Sequence, residues 1–271
     1  MERTGKIKFE PFGFGKRLRS MLCVDFRRMF TMRLFYIMAG ISFVIPILVL
    51  VMTTMMDGTT TVNPQTGVET TMEAFENTWQ AIGTVSGESS VMSMDLTSMC
   101  NINLIYFAIA VFIGLFVSAD FRSGYAKNLF TVRSKKSDYV VSKTLVGFVG
   151  GGCMLLAYFI GAMFGGAIAG LPFDTGSAGV DGIVMCMIAK ILLAAVFSPI
   201  YLLMSIVAKE KAWLSIVGSL CIGMLFFMII PIMTPLDAGM MNVILCLAGG
   251  ALFSIGFGAV SSRILGKTSL V

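Results

Sequence analysis

Asp120–Lys143 reads DFRSGYAKNLFTVRSKKSDYVVSK and carries six Lys/Arg against two Asp, between two long apolar runs. A lysine or arginine at the centre of a membrane helix costs ~2.5–3.5 kcal/mol. A stretch with this many charges therefore reads as a loop at one face of a membrane, and the runs beside it read as spans. Inside the loop, Gly124–Val132 has helical spacing, with Tyr125, Leu129 and Phe130 forming an apolar patch. Lys127, Arg133, Lys135 and Lys136 surround it. Apolar residues ringed by charge in a water-facing segment point to docking of a soluble partner; the same patch also suits the lipid surface. Ser137 and Asp138 are placed to cap the next helix, because both side chains accept from helix N-terminal amides.

Composition extends this reading to the whole chain. The 271 residues are 56% hydrophobic and 13% charged, with a mean hydropathy of +0.88. Soluble domains carry about 25% charged residues. About 20 apolar residues cross the hydrocarbon core, and six runs of that length occur: 34–56, 101–119, 144–170, 183–208, 213–233 and 241–262. The expected fold is an all-α membrane protein with six transmembrane helices. It divides into a basic N-terminal segment, 1–33, and a membrane domain, 34–271. Within residues 16–33, Leu18, Met21, Leu22, Phe26, Met29 and Phe30 recur at three- and four-residue spacing. This pattern predicts an amphipathic helix in the membrane interface, with Lys and Arg toward the headgroups; the plainer alternative is a solvated lead-in to the first span.

Lys/Arg residues number nine, zero, six, zero, two, zero and two in successive non-spanning segments, and Lys190 is the twentieth. The positive-inside rule then puts both termini, residues 120–143 and residues 209–211 in the cytoplasm. Residues 57–99, 171–182 and 234–240 face outward. Lys209–Lys211 reads as a tight turn. The outer segment 57–99 has six acidic residues and no Lys or Arg; Phe75, Trp79 and Ile82 suggest a short helix resting on the membrane, with Trp79 as its interfacial anchor. In the third span Gly147/Gly151, Gly161/Gly165 and Gly166/Gly170 are spaced for close helix approach. A bacterial cytoplasmic membrane, spanned several times, suits the basic chain and its lack of an evident signal peptide.

Several chemistries are excluded. The sequence has no histidine, which removes Ser-His and Cys-His catalysis and the HExxH zinc motif. The six cysteines lack CxxC spacing and read as small apolar residues rather than a metal or disulfide framework. The tail 261–268, SSRILGKT, approaches the phosphate loop GxxxxGK[ST], but Ser261 stands where the first glycine belongs and a membrane helix precedes it. No cofactor site and no nucleic-acid motif is present, so ATP coupling would require another protein. Lys190 is the one charge well inside a span. It would face a central pathway, pair with Asp181 or Asp174, or snorkel outward on its long stem.

In layout and in this loop the chain resembles the permease subunits of ABC-2 type transporters. That family has an N-terminal amphipathic elbow helix, six spans, and a cytoplasmic coupling helix between the second and third. Its loop pattern falls here on Asp120, Gly124, Leu129, Phe130, Arg133, Tyr139, Ser142 and Lys143, with Asp120 in place of the more frequent glutamate. The resemblance implies a separate ABC ATP-binding subunit docked on the coupling helix, through Tyr125, Lys127, Leu129, Phe130 and Arg133. It also implies a second permease copy, identical or related. Many six-span members carry their larger outer element between spans five and six. Here it follows span one, which favours export of a hydrophobic or amphipathic peptide, antibiotic or drug over a polysaccharide or lipid. A stand-alone channel or secondary transporter is the alternative; an intramembrane enzyme lacks paired carboxylates and histidine.

Overall fold

The computed structural model describes residues 13–62, 69–71, 74–85, 101–132, 136–176, 178–227 and 229–267. Its helices in chain order are α1 (Phe14–Thr31), α2 (Arg33–Met55), α3 (Ile105–Arg122), α4 (Tyr125–Val132), α5 (Lys136–Ala169), α6 (Gly179–Ala208), α7 (Ala212–Phe227), α8 (Ile229–Met233) and α9 (Met240–Lys267). Five helical stretches are long and apolar enough to cross a membrane: α2, α3 with its one-turn lead-in from Ile102, α5, α6 and α9. Helix α7 is apolar but shorter, and α8 follows it. Arg133 lies outside the described residues.

Helices α3, α5 and α6 form the centre. Two thirds of the α3 span is buried, against 11% for α9, so α9 turns most of its surface outward. Helix α9 packs along α6, α2 along α5, and α7 against α3 and α6. The α2–α5 contact shows why small residues recur in α5. A Cβ added at Gly165 would stand 2.8 Å from the Ile47 Cα, and one at Gly161 would strike the Phe43 carbonyl oxygen. With no hydrophobic drive between helices in lipid, such backbone-to-backbone contact supplies the packing. It occurs beside Pro46, which lies inside α2.

At the α2–α3 end, residues 74–85 fold onto the bundle. Antiparallel strands β1 (Thr60–Val62) and β2 (Glu69–Thr71) precede them. A single 3-10 turn, Thr78–Ala81, is capped by the Asn77 side chain, which accepts from the Trp79 amide at 3.1 Å. Trp79 packs inside the protein, stacked on Phe159 of α5 and edge-on to Phe173. Thr78 donates its amide to the Pro172 carbonyl, and Leu236 donates to the Thr84 carbonyl at 2.8 Å. The expected interfacial anchor is therefore a protein-packed side chain, because Phe159 of α5 and Phe173 of the following loop enclose its ring. At the other end, Lys211 donates to the Ala208 carbonyl, and Lys209 has φ 54° and ψ −116°. Residues 208–211 thus form the tight turn expected at this point, with the backbone of a type II′ turn.

Candidate functional site

Helix α1 buries Met21, Asp25 and Met29, a stripe at four-residue intervals that lies on α5. A carboxylate in an apolar stripe needs partners, and α5 supplies them together with Arg28 of α1 itself, while Asp120 of α3 joins the same network. Lys143 of α5 sits 2.8 Å from Asp25 Oδ1 and 2.7 Å from Asp120 Oδ2 at the end of α3. Arg28 Nη2 reaches Asp120 Oδ1 at 2.6 Å, and its other nitrogen stands 4.0 Å from Asp25. Ser142 donates to Asp25 at 2.6 Å, and Tyr139 donates to Asp120 at 3.1 Å. The network holds two positive and two negative charges, and Asp25, Asp120 and Lys143 are fully buried in it.

The short helix α4 is tied to this network by aromatic rings. Gly124 has φ +72°, a left-handed backbone that glycine adopts at little cost. There α3 stops and the chain turns to start α4, with the Asn128 amide bonded to the Gly124 carbonyl. The turn brings Tyr125 under Arg28, ring centroid to guanidinium 4.2 Å, and within 5.8 Å of Lys143. Phe116 of α3 receives the Lys143 ammonium at 4.2 Å on another face. Cations over aromatic faces gain most when desolvated, as Lys143 is; Arg28 is only part-buried. Burial pulls the Arg28 guanidinium down, but the adjacent Asp120 more than offsets it, so Arg28 ends above its ordinary value. Burial pushes the Tyr125 phenol up, and Asp25 and Asp120 add to that.

The loop residues read from sequence divide into two faces. Tyr125, Ala126, Leu129 and Phe130 turn inward; Phe130 packs edge-on to Tyr139 at 5.3 Å, and Lys136 lies over its ring at 5.6 Å. Lys127, Asn128 and Thr131 turn outward with Arg122 and Ser123. The apolar patch is thus an anchor onto the bundle, and the surface open to a soluble partner is polar and basic. Asp138 lies in the first turn of α5 and holds Arg17 of α1 at 2.9 Å, so it works as an interhelix pair. Sequence reading missed Asp25, and it turned Arg28 toward the headgroups with the other cations of α1, whereas Arg28 reaches Asp120 and Tyr125. The position of Asp25 on the buried face of an amphipathic helix was the available signal.

A second polar cluster lies toward the opposite end of the bundle. Lys190 of α6 is fully buried, and its ammonium donates to Asn103 Oδ1 at 3.0 Å and Thr234 Oγ1 at 2.9 Å. Tyr106 donates to the Lys190 carbonyl at 2.8 Å. No carboxylate lies within 4.0 Å of Lys190 among the described residues, so it neither snorkels outward nor pairs with Asp174 or Asp181. Thr234 donates its own proton to the Ile230 carbonyl, leaving its oxygen to accept from Lys190.

No family model matches the chain, and neither a curated protein nor a solved structure matches it.

Proposed function

We propose that this chain is the membrane-spanning permease subunit of an ATP-driven exporter of the ABC-2 type, crossing the bacterial cytoplasmic membrane six times with both termini inside. Helices α7 and α8 together form the fifth of those crossings. A separate ABC ATP-binding subunit docks on α4, and a second permease copy, identical or related, completes the pathway. The cargo is hydrophobic or amphipathic, such as a peptide or drug.

The observation that carries this reading is the buried network joining Asp25, Arg28, Asp120 and Lys143. It fastens a short helix in a basic loop to three longer helices at once, through Tyr125. A force applied to α4 therefore reaches α1, α3 and α5 as a unit, which is what coupling to an external ATPase requires. Docking falls to Lys127, Asn128 and Thr131, and Tyr125, Leu129 and Phe130 hold the helix for them. ATP binding draws the partner subunits together, moves α4 and tilts the central helices.

Reconstitution with the ATP-binding subunit tests this. Tyr125→Ala is expected to leave the complex assembled but lower ATP-driven transport by at least ten-fold. Full transport by that variant would overturn the coupling role. Transport by the isolated chain under an ion gradient would instead favour a secondary transporter or channel, for which the buried Lys190 is the supporting observation.

A further inference from the structure

Helices α5 and α9 line a groove of about 370 Å³. Ser137, Val140, Thr144 and Leu145 line one wall; Ile255 and Gly258 stand on the other. The volume lies in the range of small-molecule sites, roughly 300–1,000 Å³. The groove opens sideways, away from the bundle, for Val141, Leu145 and Ile255 at its rim are exposed while Val140 at its floor is buried.

Its polar residues do not make it polar. Thr144 donates to the Val140 carbonyl of its own helix at 2.9 Å, Ser262 to the Ala259 carbonyl at 2.8 Å, and Ser254 to the Ala195 carbonyl of α6. These three hydroxyls are thus satisfied by backbone, and apart from the exposed Ser137 the lining offers methyl and methylene groups. That surface suits a hydrocarbon chain. Gly258 keeps it open: a Cβ there would lie 3.9 Å from Val140, in ordinary contact, so only a larger side chain would fill the space.

The end of the groove is different. Arg263 stands one turn beyond Ala259, ~6 Å further along α9, and Lys267 one turn beyond that. Both are exposed, and neither meets a carboxylate among the described residues. Lys136 closes the corner by donating to the Leu265 carbonyl at 2.6 Å. An apolar slot on the lipid-facing side of a membrane helix pair, ending in two exposed cations, matches a molecule with a hydrocarbon tail and an anionic head. Basic pockets between membrane helices recognise lipid head groups in this way.

We propose that this groove holds one acyl chain of an anionic phospholipid, with Arg263 and Lys267 receiving its phosphate group. Charge complementarity favours a lipid with an anionic head as the occupant over a second copy of this basic chain, whose formal net charge is +5. The site is independent of α4 and of any ATP-binding subunit.

Native mass spectrometry of the full-length protein released from nanodiscs of equal phosphatidylglycerol and phosphatidylcholine tests it. Wild-type protein is expected to retain one phosphatidylglycerol at least ten-fold in excess of phosphatidylcholine. Arg263→Gln with Lys267→Gln is expected to abolish that preference, and Gly258→Phe to abolish retention of both lipids. The charge variants lie on the surface, so their result stands even where Gly258→Phe fails to fold. Equal retention of the two lipids by wild type, or an unchanged preference in the charge variant, would overturn the proposal. So would a lipid-free wild-type dimer that Gly258→Phe splits, which would make a second copy the occupant.

Discussion

Asp25, Arg28, Asp120 and Lys143 bring two charges of each sign together at one end of the bundle, with contacts of 2.6–2.8 Å. Lys190, toward the other end, brings one charge and meets only the neutral oxygens of Asn103 and Thr234. Both clusters are buried, yet they do different work. In the first, every ion is the counter-ion of another, so removing one strands the rest. In the second, dipoles solvate a single ion, and removing it strands nothing charged. The first therefore fixes how α1, α3 and α5 sit, whereas the second places a polar point within apolar surroundings.

The largest expected effect follows from stranding charge. Breaking a buried ion pair by removing one partner costs about 3–5 kcal/mol. Lys143→Met leaves Asp25 and Asp120 with Arg28 alone, and should lower thermal stability in detergent by that order. The double variant Asp25→Asn with Lys143→Met removes one charge of each sign. Its loss should fall short of the sum of the single losses by about 0.5–3 kcal/mol, as neighbours in one network do. Strict additivity would mean that the residues do not act as a unit.

Lys190→Met should behave otherwise. Removing the ammonium leaves the buried acceptors of Asn103 and Thr234 unpaired, which costs about 1–3 kcal/mol for neutral groups, so the loss of stability should be smaller than that of Lys143→Met. A loss as large as that of Lys143→Met would erase the distinction between the clusters. The smallest effect concerns pH. Folding raises the Tyr125 phenol above its ordinary 10, because burial and the neighbouring carboxylates disfavour the phenolate. The native state then holds a proton that the unfolded state releases, so this contribution is complete below pH 10 and declines as pH rises further. Tyr125→Phe should flatten that alkaline decline in a thermal-shift series.

The same two clusters mark how far the sequence could be read. The helical membrane fold was legible because spans are long and uniform: composition and length alone pick out α2, α3, α5, α6 and α9. Four-residue glycine spacing was legible in part: Gly161 and Gly165 meet α2 and Gly147 and Gly151 meet Ile113 and Ile109 of α3, whereas Gly166 faces Thr78 and Gly170 ends the helix with φ +72°. The loop helix was legible too, but not its orientation. Leu129 and Phe130 have helical spacing whether they face a partner or the bundle, and only the position of Tyr139 decides between them. Asp25 was missed since its partners Ser142 and Lys143 are 117 and 118 residues away. Lys190 was recognised as unusual, but its partners come from two other segments, 44 and 87 residues away in the chain. Trp79 was misplaced for the same reason, as its packing depends on Phe159 and Phe173.

In the proposed permease, α4 docks an ATP-binding subunit through its outward face. The direct measurement is affinity purification of the tagged protein from native membranes in mild detergent, for wild type and for Lys127→Glu with Thr131→Glu. Both substitutions are on the exposed face, away from the buried network. Wild type should bring down an ABC ATPase in stoichiometric amount, and the variant should lose it while remaining monodisperse. Recovery of the ATPase with the variant at wild-type level would contradict the docking face. A wild-type preparation that carries no ATPase, even after crosslinking in the membrane, would contradict the permease reading itself.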